Sequence, residues 1–257
     1  MLHISVAMTI YILAITFLFG ACIGSFTDCM VWRIMNHESV WRGRSHCDTC
    51  NHPLGIMDLI PIFSFLFSRG RCRYCKDKIS CESTLVECFL GMAFVALMVR
   101  FDVSVMAFRS MAFVTILTGL SLIDLKTFEI PDRFHYAAIL LFLGTFFLHP
   151  YRESMYGLLT GCIFSCGMLI LSLLFDRING TESLGGGDIK LFFIIGLFLQ
   201  HPFLGLLHLI LSCCLGLAFS LYIKKERIPF GPSISLAAFI TLLFGEPLME
   251  WYMKLLF

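Results

Sequence analysis

Gly185-Gly186-Gly187-Asp188-Ile189-Lys190-Leu191 leads straight into an apolar run that ends at Leu199. The aspartate at the mouth of that run decides how the chain is read. An ionisable group beside lipid is costly unless a partner or water meets it, so it is a functional candidate by default. A second motif of the same kind lies upstream: Ile123-Asp124 closes one apolar segment, and Ile130-Pro131-Asp132 opens the next. Two aspartates at comparable depth point to a carboxyl pair acting on one water molecule. Pro131 cannot continue a helix and disfavours helical geometry at Ile130, which sets Asp124 near a helix end. Gly185 and Gly187 permit close backbone approach and positive φ before Asp188. Lys190, two residues further on, points away from Asp188 if the segment is helical. The plainer alternative is a helix cap, the commoner role of an aspartate at a helix boundary. It remains the reading for Asp28, Asp102, Asp132 and Asp176.

Around these motifs the composition is that of a membrane protein. Hydrophobic residues make up 58% of the 257-residue chain and charged residues only 14%. A soluble domain carries roughly a quarter charged residues. The expected fold is an all-α polytopic membrane protein of about eight transmembrane helices. The candidate spans are Val6–Met30, Thr84–Val99, Val105–Ile123, Phe134–Leu148, Met155–Phe175, Ile189–Leu199, Phe203–Ile223 and Ser233–Leu256. The sixth is short, and Gln200-His201-Pro202 parts it from the seventh, so a re-entrant pair is the alternative there. The first lacks a basic leading region and a convincing cleavage site, and is expected to be retained as a helix. No basic stripe with interleaved aromatics supports nucleic-acid binding. The expected partner surface is the lipid bilayer.

The long polar stretch from Trp32 to Ser83 carries Arg33, Arg42, Arg44, Arg69, Arg71, Arg73, Lys76 and Lys78. Loops rich in Lys and Arg stay in the cytoplasm. Alternation then adds Lys126, Arg133, Arg177, Lys190, Lys224, Lys225 and Arg227, so fifteen of the nineteen basic residues fall inside. Arg100, Arg109, Arg152 and Lys254 fall at the outer edge. This arrangement puts Asp124 and Asp188 at the same, cytoplasmic, edge. Three divisions are expected: residues 1–31 as the first helix, 32–83 as a cytoplasmic module, and 84–257 as the core holding both aspartates. No internal repeat is evident.

The module holds Cys47-x-x-Cys50 and Cys72-x-x-Cys75, the double-hairpin spacing of a zinc site. Each hairpin offers two thiolates, and together they complete a tetrahedral S₄ centre. A fifty-residue loop has little core of its own, so structural zinc would supply much of its folding energy. A pair of disulfides is disfavoured in a reducing compartment. A redox role and a metal-free scaffold stay open beside zinc. His37, His46 and His52 are read as loop residues. The remaining cysteines are read mainly as small packing residues in or beside the spans.

With these motifs in order, the chain resembles the type 4 prepilin peptidase family, bacterial relatives of the GxGD intramembrane aspartic proteases. The resemblance covers nearly the whole chain. It begins with Gly24-Ser25-Phe26 and Arg33. It continues through Arg44-Ser45-His46-Cys47-Asp48-Thr49-Cys50, Asp58-Leu59-Ile60-Pro61, Arg69-Gly70-Arg71-Cys72-Arg73-Tyr74-Cys75, Ile79-Ser80 and Val86-Glu87. The aspartate motifs and Ile228-Pro229-Phe230-Gly231-Pro232 complete it. Glu82-Ser83-Thr84 stands where members usually show Arg-Tyr-Pro.

The resemblance implies cleavage of the basic leader from type IV prepilins or type II secretion pseudopilins at the cytoplasmic face of the bacterial inner membrane. N-methylation of the new terminus with S-adenosylmethionine follows. The family's catalytic aspartates map onto Asp124 and Asp188, with Gly185, Gly187 and Lys190 in support, and its cysteine loop onto residues 32–83. The chain shows no Gly-x-Gly-x-x-Gly fingerprint, so a cofactor site must differ from that of soluble methyltransferases. Glu87 is a weak candidate for it; the alternative is a helix-start carboxylate favoured by the dipole. Glu129, Asp132 and Glu182 are candidates to attract a basic leader. The competing class is a zinc-bearing membrane transporter that uses intramembrane aspartates.

Overall fold

The computed structural model describes residues 6–40, 42–148, 150–180, 184–223 and 228–256. Glu182, Lys224, Lys225 and Arg227 lie outside the described residues. The described residues form α-helices and two short 3-10 turns, with a long, mostly irregular stretch between Met35 and Glu82 that holds two isolated antiparallel bridges, His46 with Pro53 and Arg71 with Lys78. The helices are α1 (Val6–Met35), α2 (Phe63–Phe67), α3 (Glu82–Phe101), α4 (Val105–Thr127), α5 (Asp132–Thr145), α6 (Tyr151–Asn179), α7 (Gly186–Leu199), α8 (Pro202–Ile223) and α9 (Gly231–Leu256).

The expected count of eight spans is not confirmed. Six helices (α1, α3, α4, α6, α8 and α9) are long and apolar enough to cross a membrane. The other two segments give α5 and α7, of 14 residues each. At 1.5 Å per residue such a helix covers about 21 Å, short of the hydrocarbon thickness of about 30 Å. In α7 every residue from Leu191 to Leu199 except Phe193 is buried. A helix sheathed by protein need not match the bilayer, and an all-round apolar sequence does not tell a sheathed helix from a lipid-facing one.

The chain divides into two compact units, one ending at Ala107 and the other starting at Phe108. In the first, α1 and α3 run antiparallel in close contact. A Cβ on Gly20 would fall 2.6 Å from the Leu90 carbonyl oxygen, and one on Gly24 would fall 2.8 Å from the Glu87 Cα. Small residues at these crossings let backbones approach where lipid offers no hydrophobic drive to association. After α1 the chain folds around Arg33. Its guanidinium donates to the carbonyls of Ser39, Val40, Arg42 and Gly43 at 2.9–3.4 Å.

In the second unit α6 and α7 pack antiparallel through the same device. A Cβ on Gly157 would meet the Leu197 carbonyl oxygen at 2.5 Å, one on Gly161 the Phe193 carbonyl oxygen at 2.6 Å, and one on Gly196 the backbone of Gly161. The short α7 therefore stops about six residues inside the start of α6, which leaves its last carbonyls within the protein. Arg109 of α4, 3% exposed, answers one of them with Nη2 3.4 Å from the Leu197 carbonyl oxygen. Its guanidinium lies 4.7 Å from the Phe198 ring centroid and 5.4 Å from that of Phe142. Phe113 stacks on Phe198 at 3.8 Å.

Gly196→Val is expected to lower the stability of the solubilised protein by about 1–3 kcal/mol, the usual cost of overpacking. Gly144→Ala, where a Cβ meets nothing within 4 Å, is the control and is expected to be neutral or stabilising. Thermal denaturation of the two variants side by side checks this.

Candidate functional site

Asp124 sits in the last turn of α4. The helix runs one turn past the expected boundary at Ile123: the Phe128 amide donates to the Asp124 carbonyl at 2.9 Å, and Phe128 takes a left-handed φ of 58° to end it. The Asp124 carboxyl is 5% exposed, and its Oδ2 accepts the backbone N–H of Gly231 at 2.8 Å. Gly231 opens α9, so one of the free donors at that helix start meets the carboxyl. A Cβ on Gly231 would lie 2.7 Å from Asp124 Oδ2 and 3.2 Å from its Cγ.

Asp188 is the third residue of α7, after Gly185 as N-cap; its amide donates back to the Gly185 carbonyl at 3.0 Å. A carboxylate in a first helical turn is favoured by the helix dipole. Asp188 is half-buried, and the charge of Asp124 acts on it directly. The two aspartates, 64 positions apart in the chain, thus share one electrostatic site within the second unit.

The supporting residues divide by role. Gly185 has φ −66°, so positive φ is not what this glycine provides. Gly187 serves close approach: a Cβ there would lie 3.1 Å from the Ile130 Cβ. This seats the tip of α7 against the segment joining α4 to α5. Lys190 points to Asp132, with Nζ 2.7 Å from Oδ1, and both side chains are about half exposed. An exposed pair of this kind contributes about 0–1 kcal/mol. His135 of α5, buried, brings Nδ1 to 3.6 Å from the same oxygen. Asp132 is therefore engaged by residues of both α7 and α5. Glu129 is exposed.

The second cluster lies in the first unit. The ligand sulfurs of Cys47, Cys50, Cys72 and Cys75 all lie within 4.8 Å of one another, and those of Cys47 and Cys75 are 3.9 Å apart. Tetrahedral zinc with Zn–S bonds of about 2.3 Å requires sulfurs about 3.8 Å apart. The four residues fit the metal. The two hairpins are conformational copies displaced by 25 positions. Cys47 N–H donates to the His52 carbonyl and Asn51 N–H to the Cys47 carbonyl; Cys72 with Asp77 and Lys76 with Cys72 repeat this at 2.8–3.0 Å. Asn51 and Lys76 share a left-handed φ, 55° and 64°. This structural repeat, which the sequence does not display, is carried by hydrogen bonds that unlike residues make equally well. The Thr49 hydroxyl joins the copies by donating to Asp77 at 2.8 Å. Backbone N–H groups of Cys75 and Tyr74 lower the Cys72 thiol to about 7. At Cys75 the Asp77 backbone donor works the other way, but desolvation and the three neighbouring sulfurs push that thiol up to about 12. A divalent cation would displace the protons of all four.

Glu87 of α3 is 6% exposed, and its Oε2 accepts the Ile62 N–H at 2.7 Å. It holds a turn in which Ile62 has φ 64° and the Phe63 amide reaches the Pro61 carbonyl at 2.6 Å. Positive φ is a genuine outlier for a β-branched residue.

The described residues thus hold two aspartates within the second unit and a four-cysteine cluster in the first, in a chain with six helices long and apolar enough to cross a membrane. Comparison with known proteins gives the family. Residues 18–101 match the Bacterial Peptidase A24 N-terminal domain, and residues 111–221 match the Type IV leader peptidase family. The prepilin leader peptidase/N-methyltransferase of Bacillus subtilis is 32% identical over 249 residues, covering 95% of this chain and 98% of that protein. The protein of the same description from Aeromonas salmonicida is 27% identical over 278 residues, covering 94% of each chain. The type 4 prepilin-like proteins leader peptide-processing enzyme of Escherichia coli O78:H11 is 30% identical over 247 residues, covering 87% of this chain and 90% of that one. No solved structure matches. The chain belongs to the type IV leader peptidase family, as a multi-pass bacterial membrane enzyme that is both protease and methyltransferase. The kinship gives the transporter reading no support.

Gly231→Ala is expected to reduce leader cleavage about 10²-fold, because it displaces the Asp124 carboxyl by a few tenths of an ångström or more and costs its donor geometry. Elution and thermal stability should change little. Cleavage at the parental rate would show that the Gly231 contact does not position Asp124.

Proposed function

We propose that Asp124 and Asp188 are the catalytic pair that removes the basic leader of type IV prepilins or type II secretion pseudopilins at the cytoplasmic face of the inner membrane. The observation that carries this reading is the placement of Asp124, buried and held by Gly231 N–H, where its charge acts on Asp188 at the tip of α7. Two carboxyls held close retain one proton between them. The ionised member takes a proton from the attacking water, and the protonated member hydrogen-bonds the scissile carbonyl. The pair titrates as a unit, and no covalent intermediate forms. Gly185 and Gly187 set the tip of α7, and Lys190 fixes it to Asp132.

Residues 32–83 carry the structural zinc on Cys47, Cys50, Cys72 and Cys75, while residues 84–257 carry the hydrolytic pair. S-adenosylmethionine supplies the methyl group for the second activity. Glu87, which also holds Ile62 N–H and Ser25, is the weak candidate for contact with the amine or sulfonium. Incubation of the solubilised protein with a prepilin tests the scheme. A mass loss equal to the leader is expected without cofactor, and a further gain of one methyl with S-adenosylmethionine. An unchanged substrate mass would refute the protease assignment.

A further inference from the structure

Between the two cysteine hairpins the chain reads Ile56-Met57-Asp58-Leu59-Ile60-Pro61-Ile62-Phe63-Ser64-Phe65-Leu66-Phe67, with two polar residues in twelve. A 3-10 turn (Ile56–Asp58) and α2 turn much of this apolar surface outward. Ile56 is 86% exposed and Phe67 81%, with Met57 and Leu66 above 60%. Phe63 and Phe67, one turn apart, stack their rings at 6.4 Å. The polar member Asp58 is used internally: it accepts from the Gly55 amide at 3.1 Å and the Tyr74 hydroxyl at 3.2 Å, and pairs with Arg73 at 3.3 Å. A contiguous apolar patch of this kind marks an interaction surface.

Depth and charge identify what covers it. Ile62 is tethered to Glu87, the sixth residue of α3, about 7–8 Å along the axis from the helix start. Glu87 in turn packs against Gly24, eleven residues before the end of α1, or about 16 Å. α1 has 30 residues, about 45 Å, against a hydrocarbon core of about 30 Å. Its polar residues Thr27, Asp28 and Arg33 place the excess at the loop end. Ile62 therefore lies level with the edge of the hydrocarbon and not out in water. Immediately after Phe67 come Arg69, Arg71, Arg73, Lys76 and Lys78, all exposed. An apolar face bordered by cations matches a leaflet of acyl chains bordered by phosphates.

We propose that residues 56–67 are a membrane-interface anchor: their apolar face enters the phospholipid leaflet on the module's own side, and the basic residues that follow rest on its phosphates. The strained turn at Ile62, held by Glu87, directs the segment back toward the bilayer between the two cysteine hairpins. The thiolate module is thereby fixed to the membrane at a third point besides α1 and α3.

Full-length Phe67→Trp protein in nanodiscs of phosphatidylcholine and phosphatidylglycerol tests this, with the parent chain's three tryptophans subtracted as background. Ile56→Trp is a second probe at a site exposed enough to accept the larger ring. The added emission should be blue-shifted, and quenched several-fold more by phospholipids brominated on the acyl chain than by acrylamide. Acrylamide quenching at the level of a free indole would overturn the proposal. Shielding from both quenchers would overturn it equally, since protein would then cover the segment.

Discussion

Asp124→Asn and Asp188→Asn are each expected to reduce leader removal by about 10³-fold, with membrane insertion unchanged. Either amide removes the shared proton's partner and leaves the water without a base. Asparagine nearly matches aspartate in shape, and the Asp124 side chain still offers an oxygen to Gly231 N–H, so the second unit keeps its fold. The double variant is expected to be no worse than the worse single one, because groups that act as a unit lose their effect together. Mass analysis of a prepilin incubated with each purified variant gives the measurement. Substantial cleavage by either single variant would refute the pairing.

Cys72→Ser is expected to abolish zinc binding and to unfold the module. Cys72 is the most deeply buried of the four thiols, at 3% exposure, and its sulfur receives two backbone donors. Structural zinc contributes about 10–16 kcal/mol of apparent binding free energy to a small module at neutral pH. The variant should carry less than one zinc per ten chains by elemental analysis. Amide exchange should accelerate across residues 45–79, the reach of both hairpins. The methyl gain should vanish while leader removal persists, because neither aspartate belongs to that unit. Loss of both activities together would show that the thiolate module also supports hydrolysis.

Much of the fold and the site is legible in the sequence. Each Cys-x-x-Cys hairpin is local, so spacing alone reports the cluster. Asp124 and Asp188 are conspicuous because charge is rare beside apolar runs. What stays hidden is non-local or chemically silent. The donor to Asp124 comes from a backbone amide 107 positions away, and a glycine's N–H leaves no sign of its use. The partner of Lys190 is Asp132, 58 positions away, a pairing that spacing does not reveal. The two hairpins share little besides their cysteines, so their common hydrogen-bonding pattern is invisible in the residues. The short α7 is included among the spans in the sequence reading because burial by protein and burial by lipid select the same residues. The basic residues of the loop mask the apolar run from Ile56 to Phe67 inside it.

The sheath around α7 restricts how a peptide can arrive. From Leu191 onward its flanks are filled by neighbouring helices, and the exposed glycines Gly185 and Gly186 mark its open end. Asp188 lies on the part of α7 that precedes this sheath, where Gly187, Asp188 and Ile189 are half-buried and Lys190 is exposed. The helix therefore presents its first turn, and not its body, to whatever approaches it.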